Sequence, residues 1–125
     1  MLYIDDSIIY ITQNDDAAID VIMTLNDNSK YVMSSTETLT LTVRAMPDIS
    51  SSVLLSITSM PGSNRIVIRG EDTANVLPGR YSMDVQLNRD DKTKYTVIPN
   101  NIAAADRHKV RNWKNFVIMP EVTTP

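Results

Sequence analysis

From Arg80 to Asn88 the chain alternates strictly, with Tyr81, Met83, Val85 and Leu87 apolar and Arg80, Ser82, Asp84 and Gln86 polar. A period of two predicts a half-buried β-strand with one face on a core and the other in water. Thr38 to Arg44, TLTLTVR, alternates most cleanly, with Leu39, Leu41 and Val43 on one face. Similar runs predict strands at Ile8 to Thr12, at Ala17 to Leu25, at Val53 to Thr58 with Val53, Leu55 and Ile57 inward, and at Arg65 to Arg69 with Ile66 and Ile68 inward. Lys94 to Ile98 reads as the hairpin mate of the Arg80 strand, and Trp113, Phe116, Ile118 and Val122 mark a last strand. Turn chemistry separates them at Gln13 to Asp16, Asn26 to Lys30, Met60 to Asn64 and Arg89 to Thr93. One helical turn is expected near 71–76, stopped by Pro78 and Gly79. Short strands at regular spacing favour an all-β antiparallel sandwich, interrupted by an irregular insertion at 99–115.

The chain has 125 residues, which sets a single domain over 1–125. Hydrophobic residues at 42% and charged ones at 22% are a globular composition, and aromatics at 6% leave the core to Val, Ile, Leu and Met. The net charge of −3 argues against a nucleic-acid partner, and the basic cluster Arg107 to Arg111 is too short to reverse that. No cysteine is present, which removes disulfides, thiolate metal sites and thiol nucleophiles together. Asp5 and Asp6 interrupt the N-terminal apolar run, and no stretch approaches the ~18 apolar residues of a membrane span. Synthesis in the cytoplasm without a signal peptide is the expectation, with no membrane partner.

Three acidic pairs, Asp5 with Asp6, Asp15 with Asp16 and Asp90 with Asp91, invite a metal or glycosidase reading. Adjacent residues on a strand point to opposite faces, none of the pairs has calcium-loop spacing, and each sits where Asp caps a turn. His108 is the single histidine, and its neighbours Arg107 and Lys109 make it a solvated loop residue. Gly62, Gly70 and Gly79 have no phosphate-cradling spacing. No catalytic, metal or cofactor-binding residue emerges. Trp113 and Phe116 follow the basic insertion and read either as a cover on one end of the sandwich or as part of an exposed surface. Tyr81 begins a strand just after a helical turn, the setting in which immunoglobulin-like domains place a corner tyrosine bonded to backbone a few residues upstream. Those domains carry a cysteine two residues later, where this chain has Met83.

Taken in order, ITQNDDAAIDVIMTL, TLTLTVR, IVIRGEDTANVLPGRYSMDVQL, TKYTVIP and NFVIMPEVT resemble the N-terminal domain family of phage baseplate upper proteins. The likeness covers nearly the whole chain, and its motifs are turn-plus-strand phrases. The family's first phrase has glycine where Asn14 stands, a residue that also enters left-handed backbone conformations. The insertion at 99–115 exceeds the family pattern. What the resemblance implies is an immunoglobulin-like β-sandwich, non-enzymatic, located in the tail of a phage or prophage virion and docking to other tail or baseplate proteins. Homo-oligomers are compatible with that role. The first choice of contact surface is Arg107, Arg111, Trp113 and Phe116, since Arg and aromatic residues dominate interface energetics. The second hypothesis is a carbohydrate-binding sandwich for host cell-wall polysaccharide, which needs exposed aromatics that this chain supplies sparingly.

Overall fold

A computed structural model describes residues 2–5, 8–23, 27, 29–45, 52–98 and 115–121. Nine strands form: β1 (Leu2–Asp5), β2 (Ile8–Thr12), β3 (Ala17–Asp20), β4 (Thr38–Arg44), β5 (Val53–Thr58), β6 (Arg65–Ile68), β7 (Gly79–Asn88), β8 (Lys94–Ile98) and β9 (Phe116–Met119). One helical turn, α1 (Gly70–Thr73), lies between β6 and β7. The larger sheet runs β1-β2-β9-β7-β4-β5 with β8 also on β7, and β3 and β6 make a separate two-stranded sheet. Both sheets give apolar faces to one core, in which Ile11, Leu39, Leu41, Val43, Ile66, Ile68, Val85, Phe116 and Ile118 are essentially excluded from water. The fold is all-β, as the alternation predicts.

Strand β7 organises the larger sheet. On one side it pairs with β4 along Ser82 to Asn88, in antiparallel register from Arg44↔Ser82 to Thr38↔Asn88. On the other side its first three residues pair with β9 and its last four with β8. Both β4 and β7 are flanked by neighbours, so even their outward residues Thr38, Thr40, Thr42, Asp84 and Gln86 are partly covered.

Four expectations are corrected. The sheet is mixed, because β2 runs parallel to β9 in the register Ile9↔Phe116 to Thr12↔Met119. A pattern of period two carries no information on strand direction. Leu2 to Asp5 forms a strand against β2, with Asp5 opposite Ile8, so Asp5 is not in a turn. Val53 faces outward and is 48% exposed, whereas Leu55 is buried and Ile57 half-buried. The register with β4 shifts between Val43 and Arg44, which places Arg44 opposite Val53 and leaves Leu54 as the extra residue. One inserted residue exchanges the faces on either side of it. The strand expected over Ala17 to Leu25 is regular only as β3, which ends at Asp20. Beyond it the Val21 amide donates to the Asn64 carbonyl and the Tyr31 amide to that of Met23, and Leu25 lies outside the described residues.

Candidate functional site

Two polar clusters and one buried amide stand out. The first cluster ties the Gln13–Asp16 turn to α1. Gly70 brings the two backbones so close that a Cβ on it would stand 2.2 Å from the Asn14 carbonyl oxygen. The Gly70 amide donates to the Asp16 carboxylate (2.7 Å), and the Asn14 amide to the Thr73 hydroxyl (3.0 Å), which is wholly buried. Gln13 Nε2 donates to the carbonyl of Val76 (2.8 Å), with longer contacts to those of Thr73 and Ala74, so it ties the turn to the segment that leaves α1. Asn14 has φ 70°, the left-handed conformation its side-chain type tolerates, and its Nδ2 donates to Glu121 (2.9 Å). Tyr81 Oη donates to the Leu77 carbonyl four residues upstream, which fixes the entry of the chain into β7.

The second cluster surrounds Glu37, a carboxylate only 3% exposed. Both its oxygens accept from Tyr31 Oη (2.9 and 2.8 Å), one also from the Ser34 amide (2.8 Å) and the other from Arg89 Nε (3.2 Å). The Ser34 amide, with Tyr31 and Arg89, holds Glu37 below the ordinary carboxylate range against the opposing effect of burial. Tyr31 is pushed above the ordinary phenol value by its bond to Glu37 and by burial. A general acid or base works best with a pKa near the operating pH, and both groups are moved away from it. Asp84 is shifted upward by burial, with the nearby Arg44 charge pulling the other way. A pocket beside this cluster, lined by Val21, Lys30, Tyr31, Val32, Met33, Gly62 and Asn64, holds only about 160 Å³, below the ~300 Å³ at which ligand sites begin. Among the described residues no three His, Asp or Glu side chains gather as a metal site.

Asn115 is the buried amide. It precedes β9, is 2% exposed, and fills the gap on the β7 edge between the stretch paired with β9 and the stretch paired with β8. Its Oδ1 accepts from the Met83 amide (2.7 Å) and its Nδ2 donates to the Met83 carbonyl (3.0 Å). Its own carbonyl accepts from the Ile9 amide (2.9 Å). One side chain thereby imitates a ladder partner and links β2, β9 and β7.

The sequence-derived candidates fare unequally. Phe116 is wholly buried in the core opposite Ile9 and Tyr81 and offers nothing to a partner, because its position on β9 has the inward parity. Arg107, Arg111, Trp113 and His108 lie outside the described residues. Of the acidic pairs, Asp16 caps Gly70, Asp91 accepts from the amide (3.0 Å) and hydroxyl (2.5 Å) of Thr93, and Asp90 accepts from the hydroxyls of Ser34 (3.0 Å) and Thr36. Only the Asp91 contacts are local turn caps, whereas those of Asp16 and Asp90 reach residues 54 to 56 positions away, and Asp6 lies outside the described residues. Glu37 and Asn115 escape a sequence reading, since the partners of their side chains that give them meaning, Arg89 and Met83, are 52 and 32 residues distant. A buried-position Glu just before the TLTLTVR strand is the only local signal.

Comparison with protein-family models, with curated proteins and with solved structures finds no match.

Proposed function

We propose that this chain is a non-enzymatic structural protein of a phage or prophage tail, an immunoglobulin-like domain that works by docking to other tail or baseplate proteins. The observation that carries the reading is the convergence of the phrases in which the resemblance lies. ITQNDDA, GEDTANVLPGRY and PEV are far apart in sequence, yet Gln13, Asn14 and Asp16 bond Gly70, Thr73, Val76 and Glu121 in one knot. Phrases that resemble a family and also build one interlocked corner support a shared fold more strongly than scattered strand patterns would. The bond from Tyr81 to the Leu77 carbonyl, where the chain leaves the α1 corner, supports the immunoglobulin-like assignment.

The polar clusters support a structural role over catalysis. The Asp16 and Glu37 carboxylates are occupied by the Gly70 and Ser34 amides, the Tyr31 hydroxyl and Arg89, and Glu37 is held below the ordinary carboxylate range. The carbohydrate reading draws little support. Tyr95 is 52% exposed, and Arg89 stands 6.0 Å over its ring. Arg107, Arg111 and Trp113 form the proposed contact surface. Co-expression with each protein encoded beside this chain, followed by purification, is expected to yield a stable complex that Arg107→Glu with Arg111→Glu weakens. Elution of the wild-type chain alone from every such pairing, together with saturable binding of wall polysaccharide, contradicts the reading.

A further inference from the structure

We infer that segment 30–37 is an acid-released strap, latched over one end of the sandwich by the buried carboxylate of Glu37. The strap leads into β4. Tyr31 and Met33 pack against the core, while Val32, Ser34, Ser35 and Thr36 are exposed. The pocket of about 160 Å³ lies between the strap and the turn at Gly62 and Asn64, and its wall includes Val21, itself buried. Three segments distant in sequence meet at Glu37. The strap supplies the Tyr31 hydroxyl and the Ser34 amide, and the turn between β7 and β8 supplies Arg89 Nε. The Gly62 amide donates to the Glu37 carbonyl (2.8 Å), which joins the third segment to the same residue. Release of the strap would uncover Val21 and the core side of Tyr31 and Met33.

Charge gives this latch its strength. Hydrogen bonds to an ionised carboxylate are roughly twice as strong as those between neutral groups. A proton on Glu37 removes its ion pair with Arg89 and turns an acceptor-only group into one that must also place a donor, among three donors already aimed at it. The titratable and charged groups that face it are Tyr31 from the strap and Arg89 from the β7–β8 turn. Around them Asp90 accepts from the Ser34 and Thr36 hydroxyls, and Asp91 and Tyr95 act on Arg89. Glu37 is held low, first by the Ser34 amide, so the latch is fully closed above the ordinary value of 4.5 and is lost as pH falls through the folded value. Leu41 and Val85, by contrast, sit where β4 pairs with β7 and rest on ladder bonds and apolar packing. Segments with fewer buried contacts open locally before the core does.

Amide hydrogen exchange of the intact chain from about pH 6 down to about pH 3, expressed as protection over the intrinsic rate at each pH, reads the strap directly. The Tyr31 amide, bonded to the Met23 carbonyl, and the Ser34 amide are expected to lose protection below pH 4.5, approaching about ten-fold per pH unit. Leu41 and Val85 should stay protected over the same range. Glu37→Gln lacks the charge at every pH, so strap protection should be at least roughly ten-fold lower at neutral pH and should no longer respond to acid. Asp90→Asn should keep the acid response, which separates Glu37 from the neighbouring carboxylate. Circular dichroism establishes that each variant is folded, and the wild-type profile decides even where Glu37→Gln does not fold. Strap amides with level protection across the series, strap and core amides that lose protection together, a folded Glu37→Gln with the wild-type acid response, or a folded Asp90→Asn without it would overturn the inference.

Discussion

Replacing Asn115 by alanine removes the side chain that completes the β7 ladder, and the structure sets what this should cost. Met83 N–H and C=O would both lose their partner at a site where Asn115 is 2% and Met83 5% exposed. A buried polar group left unsatisfied costs about 1–3 kcal/mol, so the pair amounts to roughly 2–5 kcal/mol after some relaxation or water entry. Asn88→Ala is the internal comparison. Its Nδ2 donates to the hydroxyls of Thr38 (3.1 Å) and Thr40 (3.0 Å) at a half-buried position where water can substitute, and about 0.5–1.5 kcal/mol is expected. Urea unfolding followed by circular dichroism gives both values, and hydrogen exchange at the Met83 amide reports the local opening. The reasoning is refuted if Asn115→Ala costs no more than Asn88→Ala, or if the Met83 amide stays as protected in the variant as in the wild type.

Three further perturbations test other joints. Gly70→Ala forces a Cβ into the Asn14 carbonyl and should cost more than about 3 kcal/mol, read as a fall in thermal midpoint with loss of the Asn14 to Thr73 contact by amide exchange. Tyr81→Phe keeps the ring but deletes the bond to the Leu77 carbonyl, and a loss of about 0.5–1.5 kcal/mol in urea is expected. Glu37→Gln should remove a pH dependence from both flanks. Glu37 is held low, so its contribution is complete above the ordinary value of 4.5 and lost as pH falls through its folded pKa. Tyr31 is held high, so its contribution is complete below 10.0 and lost as pH rises through its folded value. Urea midpoints across acid and alkaline series should flatten at both ends in the variant. Equal slopes in wild type and variant would show that the cluster carries no such linkage.

Local alternation made much of the fold legible in the sequence. Leu39, Leu41 and Val43, like Met83, Val85 and Leu87, are buried because a strand on a core must show one face to it. Asn14 was legible as a left-handed turn residue, and its φ of 70° agrees. What lay hidden depends on partners distant in sequence. Nothing near Val53 announces the extra residue at Leu54 that turns it outward. The parallel course of β2 beside β9 is a property of the closed fold. Asn115 reads as the last residue of a polar insertion until β8 and β9 are seen to leave a gap on β7. Phe116 was drawn toward the surface by its basic neighbours in sequence, whereas parity along β9 assigns it to the core. Of the proposed contact surface, Arg107, Arg111 and Trp113 rest on sequence reasoning alone.

The proposed role of this chain is that of a structural component of a phage tail. Immunogold labelling, with antibody raised against the purified chain, of particles induced from the strain that encodes it tests this most directly. Gold is expected at the tail end distal to the head, with the chain recovered in stoichiometric amounts from purified particles by mass spectrometry. Particles free of both label and chain, from cells in which the protein is abundantly expressed, would contradict it.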